Sequence, residues 1–355
     1  MMKKLFTAGL LMMAMAINAN AEEQEVQGTT EKTTVDLPQW VKNIKLSGYG
    51  MVQYQAQDQE NNEQNAFNLR LVRLALEGRA HEDFYYKVQM QINGTTKDDA
   101  TAIRLVDLFG EWQKYEFLKV KAGQFKRPFT FENPMHPITQ GFMSYSQNVS
   151  KLAGFSDRTG EQASNGRDIG VQLQGDFLKN ASGRNLLHYQ VGVFNGEGIN
   201  KKDADNRKDI IGGLWVMPVK GMRIGAFGWT GSRAGIGGKN RYALSGEYTQ
   251  NDWTFRTEYI HSQGMGSNAA LGDKADGYYA LCIAPIQKNK MHVKARYDLY
   301  RQSKEWGTSK TFYEVGADYL FTKNLQLNVE YARVNDRTAA KHNYNLVDVE
   351  LDFRF

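Results

Sequence analysis

Apolar and polar residues alternate along most of this chain with a period of two. Near the C-terminus Val347, Val349, Leu351, Phe353 and Phe355 share one phase, and Asp348, Glu350, Asp352 and Arg354 share the other. Such alternation gives a strand one apolar and one polar face, and charges at every second position rule out a helix buried on one side. The same pattern recurs in Leu325–Tyr331, Tyr313–Phe321, Met291–Leu299, Trp253–Tyr259, Ile169–Phe177 and Phe84–Ile92. About sixteen segments can be marked, starting near residues 43, 66, 83, 102, 117, 167, 185, 208, 221, 239, 252, 274, 289, 309, 324 and 343. The stretch around Ile211–Val219 is the weakest of them, because both its faces are apolar.

The connections alternate as well. Tight turns near His81, Lys114, Lys179-Asn180, Lys220-Gly221, Asn251, Lys288 and Lys323-Asn324 take turns with longer loops near Asn61, Thr96, Pro134, Asp203, Gly235, Gly266, Glu305 and Ala340. An even number of alternating strands of about ten residues, with short turns on one side and longer loops on the other, predicts an all-β fold: a transmembrane antiparallel β-barrel of about 16 strands. Phe84, Tyr86, Trp112, Phe177, Tyr248, Trp253, Tyr319, Phe321, Phe353 and Phe355 gather in the apolar phase near the short-turn ends, as an interfacial aromatic girdle does. Closing the sheet removes the unpaired edges of an open one.

One stretch breaks the pattern. It opens as GQFKRPFTFENP (Gly123–Pro134) and shows no alternation for about forty residues, from Arg127 to Gly166, with three of the six prolines inside it. A connection that long within a compact chain is a functional element or a mistaken assignment. Strand counting places it after the fifth strand, on the long-loop side. Residues 127–166 are therefore expected to fold inward as a constriction loop.

The N-terminus sets the compartment. Lys3 and Lys4, the apolar Leu5–Ile17 and the Ala19-Asn20-Ala21 cleavage pattern predict a signal peptide over residues 1–21. Residues 22–40 read as a polar periplasmic leader and 41–355 as the barrel. Beyond residue 21 no run reaches the length of a transmembrane helix. The formal charge of +5, or +3 without Lys3 and Lys4, is too small to argue for nucleic acid. The single cysteine, Cys282, has no internal disulfide partner.

No catalytic signature is present: no nucleophile elbow, no paired-cysteine or His-Glu-x-x-His metal motif, no phosphate loop. The six histidines are scattered, and no cofactor or metal is implied. Phase instead puts Arg73, Glu77, Arg79, Lys87, Asp107, Glu111, Lys119, Lys121, Asp168, Arg256, Glu258, Lys294, Arg296 and Asp298 on the lumen side. In lipid a mid-membrane Arg or Lys costs about 2–4 kcal/mol, so these charges must meet water or one another. They read either as ion pairs bracing the wall or as a field acting on solutes. Eight of these residues are basic and six acidic, too even a balance for sequence to show a basic lumen.

The run FNLRLVRLALEG (Phe67–Gly78), the segment GQFKRPFTFENP and the Gly166-Arg167-Asp168-Ile169-Gly170 turn resemble the phosphate-selective porin O and P family, over about residues 43 to 355. The resemblance implies a sixteen-stranded outer-membrane barrel, usually a homotrimer, whose third external loop narrows the pore. It puts Lys126, Arg127 and Glu132 where the wall turns into that loop, and Arg167 and Asp168 where the loop rejoins the wall. Phosphate-binding members resemble one another in a basic constriction; this loop sets Arg127, Lys151 and Arg158 against Glu132, Asp157 and Glu161. The expectation is an integral outer-membrane protein of a Gram-negative-type bacterium, passing small hydrophilic solutes or ions, with anion or phosphate preference left open. The pore candidates are Arg73, Lys87, Asp107, Glu111, Lys119, Lys121, Lys126, Arg127, Glu132, Lys151, Arg158, Arg167 and Asp168. Expected partners are outer-membrane lipid, the solutes, two further copies, and the barrel-assembly machinery reading the C-terminal Phe355. The alternatives are a plugged barrel serving as a surface receptor or uptake-complex subunit, and a barrel-borne lipase.

Overall fold

The computed structural model describes residues 44–93, 103–155, 164–233, 237–264 and 274–355. The chain divides after Pro38, and the unit from Gln39 to Phe355 contains the barrel. The expected signal peptide and leader, and the loop positions Thr96, Gly235 and Gly266, lie outside the described residues.

Sixteen antiparallel strands form the barrel: β1 (Lys45–Gln57), β2 (Gln64–His81), β3 (Phe84–Gln91), β4 (Arg104–Tyr115), β5 (Leu118–Lys126), β6 (Arg167–Lys179), β7 (Asn185–Phe194), β8 (Asp209–Val216), β9 (Met222–Arg233), β10 (Gly237–Gln250), β11 (Trp253–Gln263), β12 (Lys274–Gln287), β13 (Met291–Arg301), β14 (Ser309–Thr322), β15 (Leu325–Asp336) and β16 (Asn343–Arg354). Each pairs with the next in the chain, and β16 pairs with β1 to close the circle. Every segment marked from the sequence corresponds to one strand. A short helix, α1 (Gln147–Leu152), lies in the long connection between β5 and β6.

The alternation becomes an inside and an outside. Tyr313, Val315, Val329 and Tyr331 are exposed on the outer surface, whereas Glu314, Asp318, Asn328 and Glu330 between them are buried in the lumen. The closing seam is packed by the C-terminal aromatics. The Phe353 ring lies over Gly50 and the Phe355 ring over Gly48, where an added Cβ would come within 2.3 Å of either ring. The predicted girdle is present at the short-turn ends, with Tyr115 stacked on Phe117 and Phe177 on Tyr189. A second band, of tyrosines, lies toward the long-loop ends: Tyr242–Tyr259, Tyr278–Tyr297 and Tyr297–Tyr313 are in ring contact. The sequence reading placed aromatics at one interface only.

Two irregularities explain what the pattern left ambiguous. The β1–β2 register steps from Met51↔Leu71 to Val52↔Leu69, so Arg70 has no opposite number. This bulge inverts the phase and lets both Arg70 and Arg73 reach the lumen, although they are an odd number of positions apart. The double apolar face of β8 also has a cause. Ile210, Leu214 and Val216 face outward, while Ile211 and Trp215 face inward onto a buried apolar cluster made with the long loop.

A loop fastened across the lumen

The loop starts and ends in a buried knot. Arg127 and Asp168 are both fully buried and pair at 3.0 Å between Nη2 and Oδ2, and that same carboxylate oxygen accepts Gly196 N–H at 3.0 Å. The Arg127 guanidinium also lies 4.8 Å from the Trp229 ring centroid. Asn133 Nδ2 donates to Arg127 O, and Arg127 N donates to Gly166 O, both at 2.8 Å. The knot tolerates no side chain at two glycines with positive φ. A Cβ on Gly154 would fall 1.8 Å from Arg127 Nη1, and one on Gly166 2.0 Å from Asn133 Oδ1.

Beyond the knot the apolar residues of RPFTF enter the lumen. Phe129 meets Trp229 (5.5 Å between ring centroids), and Phe131 meets Trp215 (5.5 Å) and Phe227 (5.4 Å), all edge to face. Thr130 between them adopts φ 65°, a strained value for a β-branched residue. Burial of the flanking rings holds it there.

The rest of the loop is fixed through its backbone. Glu258 Oε1 on β11 accepts Phe131 N–H (2.6 Å) and Glu132 N–H (3.0 Å). Glu330 on β15 accepts Met143 N–H (2.9 Å), and Asp298 on β13 accepts Gln147 N–H (2.8 Å). Wall cations bind the loop carbonyls: Arg256 binds Gln140 O, Lys294 binds Gly141 O, Arg296 binds Ser144 O and Arg241 binds Leu152 O, each at 2.9 Å. Buried charges are thereby matched to backbone dipoles, as charge burial demands. The inner face of β10–β15 is thus the mount of the loop.

A small space of about 70 Å³ lies between the loop and Asp318, Glu350 and Asp352 of β14–β16, and larger ones lie between the loop and the opposite wall. A cavity of about 350 Å³ is bounded by Arg73, Lys87, Asp107, Phe109, Glu111, Lys121 and Arg167 of β2–β6, and by Pro134, Met135, His136 and Pro137 of the loop. A second space of about 260 Å³ shares Lys87, Gln89 and His136 with it and extends to Glu77, Arg354 and Phe355 at the short-turn end. Cations outnumber acids around the first cavity, with Arg73, Lys87, Lys121, Lys126 and Arg167 against Asp107 and Glu111. The field is felt at His136, whose pKa falls to about 4, first through burial and then through Lys126, Lys87 and Arg73. Burial raises the Tyr145 hydroxyl above its ordinary value.

The thirteen residues named from sequence fall into four groups. Arg73, Lys87, Asp107, Glu111, Lys121, Lys126 and Arg167 line the cavity. Within it Arg167 grips Asp107 with two bonds, at 2.6 and 3.1 Å, and Lys121 stands 3.8 Å from Glu111. Lys126 Nζ donates to Met135 O (2.5 Å) and Tyr145 OH (2.7 Å). Arg127, Glu132 and Asp168 do not line it: all three are fully buried, and Glu132 caps Ser146 N–H and Oγ–H inside the loop. They sit at and beside the two ends of the loop, and their charges are taken up by structure. Lys119 pairs with Asp176 at 3.5 Å, and Lys151 is half-buried in the last turn of α1. Arg158, with Asp157 and Glu161, lies outside the described residues. Sequence reading missed Arg70, which binds Glu350 at 2.9 Å, and Glu330 as a loop anchor. The odd spacing of two arginines in LRLVRL was the available sign of a bulge.

A closed, girdled barrel with a charged interior and a loop fastened across it is an outer-membrane channel of the porin class. The family described as phosphate-selective porin O and P matches residues 47–200, which run from within β1 to beyond β7 and include the loop between β5 and β6. No curated protein matches the sequence. Among solved structures the barrel is similar to an anion-selective porin from Comamonas acidovorans (13% identity, TM-score 0.65, 88% of this chain and 99% of that one). It is also similar to Salmonella typhi OmpF in complex with daunomycin (12%, 0.65, 88% and 98%) and to the trimer form of OmpT from Vibrio cholerae (12%, 0.57, 88% and 100%). At these identities the likeness is one of fold.

Proposed function

We propose that this porin is an anion-preferring diffusion channel whose eyelet lies between loop residues 134–137 and the β2–β6 wall. The observation that carries the reading is a division of labour among lumen charges. Glu258, Glu330 and Asp298 accept backbone N–H groups of the loop, whereas Arg73, Lys87 and Lys126 have no carboxylate partner among the described residues and border the cavity. A lumen lined by charges of both signs thus yields a basic passage. Fixed positive charge beside a narrow aqueous path favours anions.

Transport of this kind requires no reaction, cofactor or metal. The trimer form of a similar barrel supports assembly as a homotrimer, and the exposure of Phe355 suits recognition by the assembly machinery. The N-terminal pattern supports export through a cleaved signal peptide. The test is a reversal potential across a potassium chloride gradient in planar bilayers. The reading expects chloride preference, reduced in Lys87→Gln. Cation selectivity would overturn it, and protein that inserts yet stays electrically silent would favour a plugged receptor.

A further inference from the structure

The eyelet has a second character that a phosphate filter does not need. Tyr85, Phe109 and Phe125 form a run of aromatic contacts on the wall (6.1 and 5.9 Å between centroids), and Pro134, Met135 and Pro137 face them from the loop. We propose that the solutes this eyelet takes best are organic anions in which a carboxylate is carried on a flat apolar body, such as an aryl carboxylate, in preference to inorganic phosphate. The inference rests on the anion-preferring reading and names its substrate class.

Two observations carry it. The first concerns donors. To replace the hydration shell of inorganic phosphate, a site must turn several free N–H groups onto a small sphere. Here Arg73 already gives Nε and Nη2 to Gln91 Oε1 and Nη1 to Tyr49 OH, and Lys126 holds Met135 O and Tyr145 OH. Arg167 is committed to Asp107. Lys87 alone of the five has no polar partner among the described residues. The eyelet supplies positive potential and few converging donors, which suits a carboxylate that keeps part of its water.

The second concerns the apolar surface. Lys121 Nζ lies 4.9 Å from the Phe109 centroid and 5.4 Å from that of Phe125, so aromatic faces support the charge without neutralising it. A solute passing between the phenylalanine side and the Pro-Met-His-Pro segment can put its carboxylate toward Lys87 while its ring covers apolar surface that water wets poorly. Inorganic phosphate gains nothing from that surface.

The experiment is block of chloride current through single channels of the full-length protein by benzoate, acetate and inorganic phosphate at equal ionic strength. Benzoate is expected to block at about tenfold lower concentration than either of the others, a factor of the size one aromatic contact supplies. Phe109→Ala and, independently, Met135→Ser should each bring the benzoate constant toward that of acetate, and their folding is checked by heat-modifiable gel mobility. Equal block by benzoate and acetate, or benzoate block indifferent to both substitutions, overturns the proposal. If chloride preference persists in that case, the anion-preferring channel stands and only the substrate class falls; a cation-selective reversal potential would remove both.

Discussion

Arg127 and Asp168 are charges removed wholly from water, and each depends on the other. Taking away one partner of a buried pair leaves the second uncompensated, at a cost of about 3–5 kcal/mol. Arg127→Met should therefore lower the urea-unfolding free energy of the micelle-folded barrel by about that amount. Arg127→Met combined with Asp168→Leu should recover part of it. His136 is a different case. Its pKa is depressed to about 4, below its ordinary value, so the unfolded chain takes up a proton that the folded chain refuses. Stability is lost as pH falls from about 6.5 through about 4, and His136→Asn should remove this part of the pH dependence of unfolding. At this scale the sequence was partly legible. Lys87 and Arg73 were found by phase, since their own neighbours determine which way they point. The fate of Arg127 and Glu132 was not, because it depends on Asp168, Ser146 and Trp229, brought close only by folding.

The strands were legible because lipid and water select opposite side chains at successive positions, a signal local to each strand. The loop was legible only as an interruption. Its anchors are strand carboxylates far away in the chain, Glu258 and Phe131 being 127 positions apart, and no local pattern marks them. Both elements are tested by one double variant. Glu258→Ala with Glu330→Ala leaves the N–H groups of Phe131, Glu132 and Met143 without acceptors and loosens the loop from β11 and β15. The barrel should still assemble, because its ladder is untouched, while single-channel conductance rises and becomes noisier. Conductance unchanged from the parent would mean that the loop does not set the passage. The two-sided apolar β8 belongs here too: one face meets the membrane and the other meets Phe131 through Trp215.

Across the whole molecule the lumen is divided rather than uniformly charged. The half from β10 to β15 holds the loop, and the half from β2 to β6 is left to the solute. That division is invisible in a total of lysines, arginines, aspartates and glutamates, which is why composition alone gave no selectivity. Closure of the barrel depends on a seam where Phe353 and Phe355 cover Gly50 and Gly48. A side chain at Gly50 would displace the Phe353 ring, so Gly50→Leu should reduce the fraction of heat-modifiable, folded barrel recovered on refolding while leaving the sequence of every other strand pair intact.

The mounting of the loop by main-chain N–H and C=O groups has an evolutionary consequence. An attachment made to the backbone is blind to which side chains the attached segment carries. Residues 134–137 can therefore be exchanged without detaching the segment that presents them, provided the strand carboxylates and guanidinium groups persist. A descendant of this barrel could change the solute it admits through a few substitutions at the rim while inheriting the same frame. Grafting of foreign rim sequences between Asn133 and Ile138 offers the corresponding route for engineering its selectivity.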